Sequence, residues 1–194
     1  MMRRILRLLA CGAVVLSLVA CTPTGRAVGD TQDNMPSIAH DSTHKTDITV
    51  GFVGSTDTAA DKKAIDALAD DTLNVYYASL DTSGDSETAD KIAATAQQGV
   101  TDFVDRAVKI VIISGIDVTD ANRDSWNQAL TNAREAGIPV ALLNPKHAPE
   151  DELLYAAILN TDDAASAKSV SIADAVITIA RDEPHDRTIA VATE

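Results

Sequence analysis

Residues 109–144 read KIVIISGIDVTDANRDSWNQALTNAREAGIPVALLN, and their pattern decides the fold. The stretch opens on Ile110-Val111-Ile112-Ile113, a β-branched run that suits a strand buried on both faces of a parallel sheet. The run stops at Ser114-Gly115, and over residues 119–136 the apolar positions switch to helical spacing. Trp126, Ala129, Leu130, Ala133 and Ala136 then share one helix face. Gly137 stands where a helix takes a left-handed residue beyond its end, and Pro139 cannot continue the helix. Val140-Ala141-Leu142-Leu143 is a second buried run. This order predicts a β-α-β unit, and in open α/β sheets ligands sit beyond the carboxyl ends of the strands. Those ends are residues 114–117 and 144–145.

The flanking chain continues the alternation. Residues 48–53 predict a strand that turns at Gly54-Ser55-Thr56. Asp57 or Thr58 can cap a helix running to Ala69, with Ile65 and Leu68 inward. Residues 73–79 predict a second strand, and residues 87–106 a helix with Ile92, Ala96, Val100 and Phe103 on its core face. Gly99 within that helix costs about 1 kcal/mol relative to Ala. Residues 155–159 predict a fifth strand, Asp162 or Asp163 caps a helix over residues 164–181, and residues 188–192 begin a sixth strand. The fold class implied is α/β: a doubly wound parallel sheet in three layers.

The amino terminus carries a different signal. Arg3, Arg4 and Arg7 precede an uncharged apolar run over residues 8–20. That run is shorter than the roughly 20 residues a membrane-spanning helix needs, so residues 1–20 read as a secretory signal peptide. Leu18-Val19-Ala20-Cys21 matches the bacterial lipobox, which makes Cys21 the acylated first residue of the mature chain, a palmitate-type modification. Cys11 leaves with the signal, so no disulfide is expected. Residues 21–47 carry Pro23, Gly25, Gly29 and Pro36 among polar residues without apolar period, and read as a lipid-anchored flexible tether. The 26 residues after Cys21 would reach about 30 Å. His40 and His44 are four apart, but nothing else there suggests a helix, and they read as solvated rather than metal-binding.

Composition bounds the function. The net charge is −13 and aromatics make up only 3% of the chain, while 45% is apolar. The acidity argues against a nucleic-acid surface, which needs clustered Lys and Arg. No G-x-G-x-x-G, no P-loop and no G-x-S-x-G elbow is present, so no cofactor and no catalytic set is expected. What remains is polar residues at strand ends: Ser55 and Thr56, Asp81 and Thr82, Asp117, Asn144 and Asp162. Such side chains can hydrogen-bond sugar hydroxyls, although Asp and Asn also favour turns and caps. Trp126, on the apolar face of its helix, reads as core rather than as a stacking platform.

The strand ending in SGID, the helix with Trp126 and the segment AREAGIPVALLN together resemble the first lobe of type I periplasmic sugar-binding proteins. Those are receptors of bacterial ABC importers, and their fold is shared with lactose-repressor-type ligand-binding cores. The resemblance runs from Ile48 to the chain end and implies one lobe over residues 48–161. Residues 162–194 would then be a crossover and the start of an incomplete second lobe. It also implies an extracytoplasmic, membrane-anchored binder of a small ligand, with a carbohydrate as the expected class, that works with an ABC permease and does no catalysis. Asp117 matches the family's Asp after strand three, and Asn144 stands at the family's Asp of Asp-Arg, with Pro145 replacing the Arg. The aromatic residues of the family's first loop are missing from residues 54–58. A single-lobe sensor or interaction module that has lost the sugar is the other expectation. With one lobe, the stripe Val170, Ala173, Val176, Ile177 and Ala180 is expected to be partly exposed.

Overall fold

The computed structural model of the protein describes residues 23–34, 43–80, 89–162 and 168–193. Among the described residues, seven parallel strands form one sheet in the order β2-β1-β3-β4-β5-β7-β6. They are β1 (Thr49–Val53), β2 (Asn74–Ala78), β3 (Ile110–Ser114), β4 (Val140–Leu143), β5 (Ala157–Asn160), β6 (Val170–Ser171) and β7 (Thr188–Ala192). The helices are α1 (Thr58–Asp70), α2 (Ala89–Asp105), α3 (Arg123–Glu135) and α4 (Ile172–Ala180). The fold is thus the doubly wound α/β sheet that the alternation predicts. Among the described residues no helix is long and apolar enough to cross a membrane.

β3 and β4 are buried at every position, as their unbroken apolar runs require when both sheet faces are covered. One face is closed by α1 and α4, whose Ala64, Leu68, Ile172, Val176 and Ile179 join Val50, Phe52 and Ile112 in a core cluster. The other is closed by α2 and α3, with Val100, Phe103, Trp126 and Leu130 against Val111, Ile113 and Leu142. The face read for α3 is buried at Trp126, Ala129, Leu130 and Ala133. Ala136 is exposed because the helix has already ended at its own cap, and Gly137 follows at φ +72°. Gly99 has a packing reason: a Cβ there would stand 3.2 Å from the Cβ of Ala78. Its absence lets α2 lie low on the β1–β2 side.

Three expectations fail. The helix over residues 164–181 is much shorter: Val170 and Ser171 are extended and pair with Val191 and Ala192 of β7. Helix α4 starts only after Ser171, whose hydroxyl accepts from the Asp174 N–H. The apolar stripe is not exposed either. Ala173, Val176 and Ile177 are at most 5% accessible, and only Val170, outside the helix, is open at 40%. β7 pairs with β5 at Ile158↔Thr188 through Asn160↔Ala190, so the described part of residues 162–194 extends the sheet of residues 48–161. Position 163 and residues 164–167 lie outside the described set.

The third failure concerns the tether. Residues 23–34 are docked as a strap along the amino-terminal edge of the sheet, with Ala27 1% and Asp30 6% accessible. The Arg134 guanidinium donates to the carbonyls of Pro23 and Arg26 at 2.8 and 2.6 Å. Thr31 donates to the Glu183 carbonyl, and His185 Nε2 to the Gly29 carbonyl at 2.7 Å. Arg187 donates to Asp30 Oδ2 at 2.5 Å and to the Glu152 carbonyl at 2.6 Å, with its guanidinium 4.4 Å over the Tyr155 ring. Side chains from the far end of the chain supply the order that local sequence lacks.

Candidate functional site

β1 leads into α1 on one face of the sheet, while its neighbour β3 leads into α3 on the other. The loops after these two strands therefore diverge, and a crevice opens where strand order reverses. A cavity of about 290 Å³ occupies it. Its rim is polar, with Ser55, Thr56 and Asp57 after β1, Asp117 and Thr119 after β3, and Asn144 and Lys146 after β4. Its interior is apolar: Leu80, Ile92, Ala93, Ala96, Ile113, Ile116 and Trp126. A second cleft of about 290 Å³ adjoins it, sharing Asp57, Ala60, Ser114 and Asn144 and adding Lys63, Thr161 and Thr193.

The rim is held by local hydrogen bonds. Asp61, in the first turn of α1, is fully buried and accepts from the Ser55 N–H at 2.6 Å and its hydroxyl at 3.0 Å. A carboxylate in a helix's first turn is favoured by the helix dipole. Ser55 Oγ also accepts from the Asp57 N–H, so this hydroxyl is committed to the loop. Asn144 adopts φ +45°, a conformation Asn tolerates better than most residues. Its amide oxygen accepts from the Thr161 N–H at 2.9 Å, and its nitrogen donates to Thr161 Oγ1 at 2.6 Å. That pair ties the end of β4 to the end of β5.

Asp117 contacts His147 Nδ1 at 2.7 Å, both side chains well exposed. Asn122 explains why α3 begins at Arg123 rather than near Thr119. Its side chain accepts from the Thr119 N–H and donates to the Asp117 carbonyl, which fixes a loop in place of a first helical turn. Trp126 is 2% accessible, as a core reading expects, yet it forms part of the cavity wall. Its indole N–H is sealed from solvent with no hydrogen-bond partner among the described residues.

Ser55, Thr56, Asp117 and Asn144 are thus gathered on one crevice. Asp162 is not among the lining residues of either cleft; it is exposed, and its N–H is taken by Asn160 Oδ1. Asp81, Thr82, Cys21 and His40 lie outside the described residues, while His44 is exposed. Among the described residues no three His, Cys, Asp or Glu side chains are grouped to hold a metal. Sequence reasoning missed Asp61, Asn122, Lys146, His147 and Ser114. Ser114 lines both clefts while only 8% accessible. Only the rule that strand ends carry ligands pointed toward it.

Tyr77 reports on the Asp61 cluster. Burial, then the nearby Asp61 charge and its hydrogen bond, push the phenol pKa above 10.0. The unfolded chain ionises first, so stability is unaffected below about pH 10 and falls as pH rises from there through the folded pKa. Tyrosinate absorbance during an alkaline titration should show one of the three tyrosines ionising late. Asp61→Asn should bring it earlier.

No protein-family model matches this chain, and no curated protein matches it. Among solved structures it is similar to a protein from Mycobacterium smegmatis in complex with β-D-fucofuranose, at TM-score 0.47 and 17% identity over 64% of this chain and 42% of that one. It is similar to a galactofuranose binding protein at TM-score 0.46 and 17% identity, over 74% of this chain and 56% of that one. It is also similar to the periplasmic binding protein component of the arabinose ABC transporter from Shewanella sp. ANA-3, bound to α- and β-L-arabinofuranose. That likeness has TM-score 0.45 and 16% identity, over 73% of this chain and 54% of that one. The chain spans about half the length of these three proteins. What they bind is a property of those proteins, and likeness of this extent assigns no ligand to this one.

Proposed function

We propose that this chain is the ligand-binding part of a lipid-anchored solute receptor of a bacterial envelope. It holds a small hydroxyl-bearing ligand, a carbohydrate first of all, for an ABC permease, and performs no chemistry on it. The observation that carries this reading is the crevice at the strand-order reversal, with Thr56, Asp117, Asn144 and Lys146 together on its rim. A carboxylate, an amide, a hydroxyl and an ammonium can satisfy the donors and acceptors of a polyol from several directions. The anchor rests on the basic, apolar, Leu-Val-Ala-Cys order of residues 1–21.

Sugars supplied at 100 times their dissociation constant should stabilise the fold by about 2.7 kcal/mol, which a thermal melt detects. Asp117→Ala should then weaken the sugar that binds by about tenfold, the low end for losing a hydrogen bond to a charged group. Unchanged affinity in calorimetry removes Asp117 from the site. If no sugar shifts the melt at millimolar concentration, an interaction module without a sugar becomes the better reading. The anchor is tested separately: Cys21→Ala should stall processing or release unlipidated protein, and a mutant that fractionates with membranes like the wild type refutes it.

A further inference from the structure

The interior of the cleft does not match its rim, and this difference bears on the ligand. Behind the polar mouth, Ile92, Ala93 and Ala96 of α2 face Ile113, Ile116 and Trp126, and all but Ile92 are at most 8% accessible. A monosaccharide carries hydroxyls around its whole perimeter. Driven into this space it would lose water from several of them and find no partners among the described residues on the α2 side. Ser114 stands at the junction of the two clefts, and its hydroxyl has no partner among the described residues. The cavity therefore offers one polar half and one apolar half, and ligand pockets are generally mostly apolar with a few placed polar groups.

Resting on the binding role above, we infer that the ligand is amphiphilic: a sugar bearing an apolar alkyl, acyl or aryl substituent. The substituent lies against Ile92, Ala93, Ala96 and Trp126. The sugar hydroxyls stay at the mouth with Ser114, Thr56 and Asp117. Each methylene moved from water into such a wall strengthens binding by about fourfold, so a phenyl group should be worth at least about tenfold.

The test uses glucose, galactose and arabinose, each free, as the methyl glycoside and as the phenyl glycoside, with phenol alone as the non-sugar probe. Trp126 is the chain's one tryptophan, so its emission reports directly on this wall. At least one phenyl glycoside should bind tenfold or more tighter than the free sugar and change Trp126 emission saturably. Ile92→Ser, at a partly buried position packed against the core, should remove most of that advantage, whereas Ile92→Leu should keep it. Equal affinity for free and phenyl-substituted sugars would overturn the inference and leave the sugar-binding role standing. Phenol binding as tightly as the phenyl glycosides would keep the apolar subsite and remove the sugar. No binding by any probe would overturn both.

Discussion

Asp30→Ala lowers the stability of this protein by about 3 kcal/mol, the low end of what removing one partner of a buried ion pair costs. Asp30 is 6% accessible and its Oδ2 receives Arg187. Without it the guanidinium keeps, among the described residues, the Glu152 carbonyl and the Tyr155 face. Water can reach part of Arg187, whose side chain is 21% exposed, and this keeps the loss at the low end. In a domain of this size that corresponds to a drop of about 6–12 °C in melting temperature. The strap should loosen first, so trypsin should cut after Arg26 faster than in the wild type. The pair is itself imperfect: Asp30 Oδ1 and Arg187 Nε are buried without partners among the described residues. Replacing both residues, Asp30→Leu with Arg187→Met, should therefore recover most of the loss. A single mutant that melts like the wild type would show that the strap contributes nothing to stability.

Trp126→Ala is expected to cost about 3–5 kcal/mol, because it empties the contact between α3 and the sheet. Trp126→Phe should cost far less, about 1 kcal/mol or under. It loses ring volume, but it also removes an N–H that is buried without a partner among the described residues, a defect worth about 1–3 kcal/mol. Denaturant unfolding of the two variants separates these terms. Equal losses in both would mean that the indole N–H matters in a way its surroundings do not explain.

The face of α3 was legible because each of its apolar positions answers to one neighbour, the sheet, at a fixed period. Trp126, Ala129, Leu130 and Ala133 follow that period, and all are buried. Val170 obeyed the same period and misled, because its environment is set by Val191 across a strand pair. The strap was illegible for a related reason: Asp30, Thr31 and Gly29 are held by Arg187, Glu183 and His185, more than 150 positions along the chain. At the crevice, Ser55, Thr56, Asp117 and Asn144 could be found because they follow strands whose carboxyl ends the topology must bring together. His147 could not, since its approach to Asp117 depends on how the loop after β4 turns back. Asn122 and Ser114 were hidden by their ordinariness, an amide ahead of a helix and a serine ending a strand.

The strap and the crevice lie on opposite edges of the sheet, and strands of four or five residues separate them by about 15 Å. The molecule thus has a back, where the chain enters, and a front, where a ligand would sit. An anchor at Cys21, as proposed above, would hold the back, and while residues 23–34 stay bound to Arg134 and Arg187 they would act as a short hinge pin. Released, those twelve residues become a leash of about 20 Å, enough to let the front swing round. Under the anchor proposed at Cys21, the Asp30–Arg187 contact would set the direction in which this domain can look, as well as how firmly it is folded.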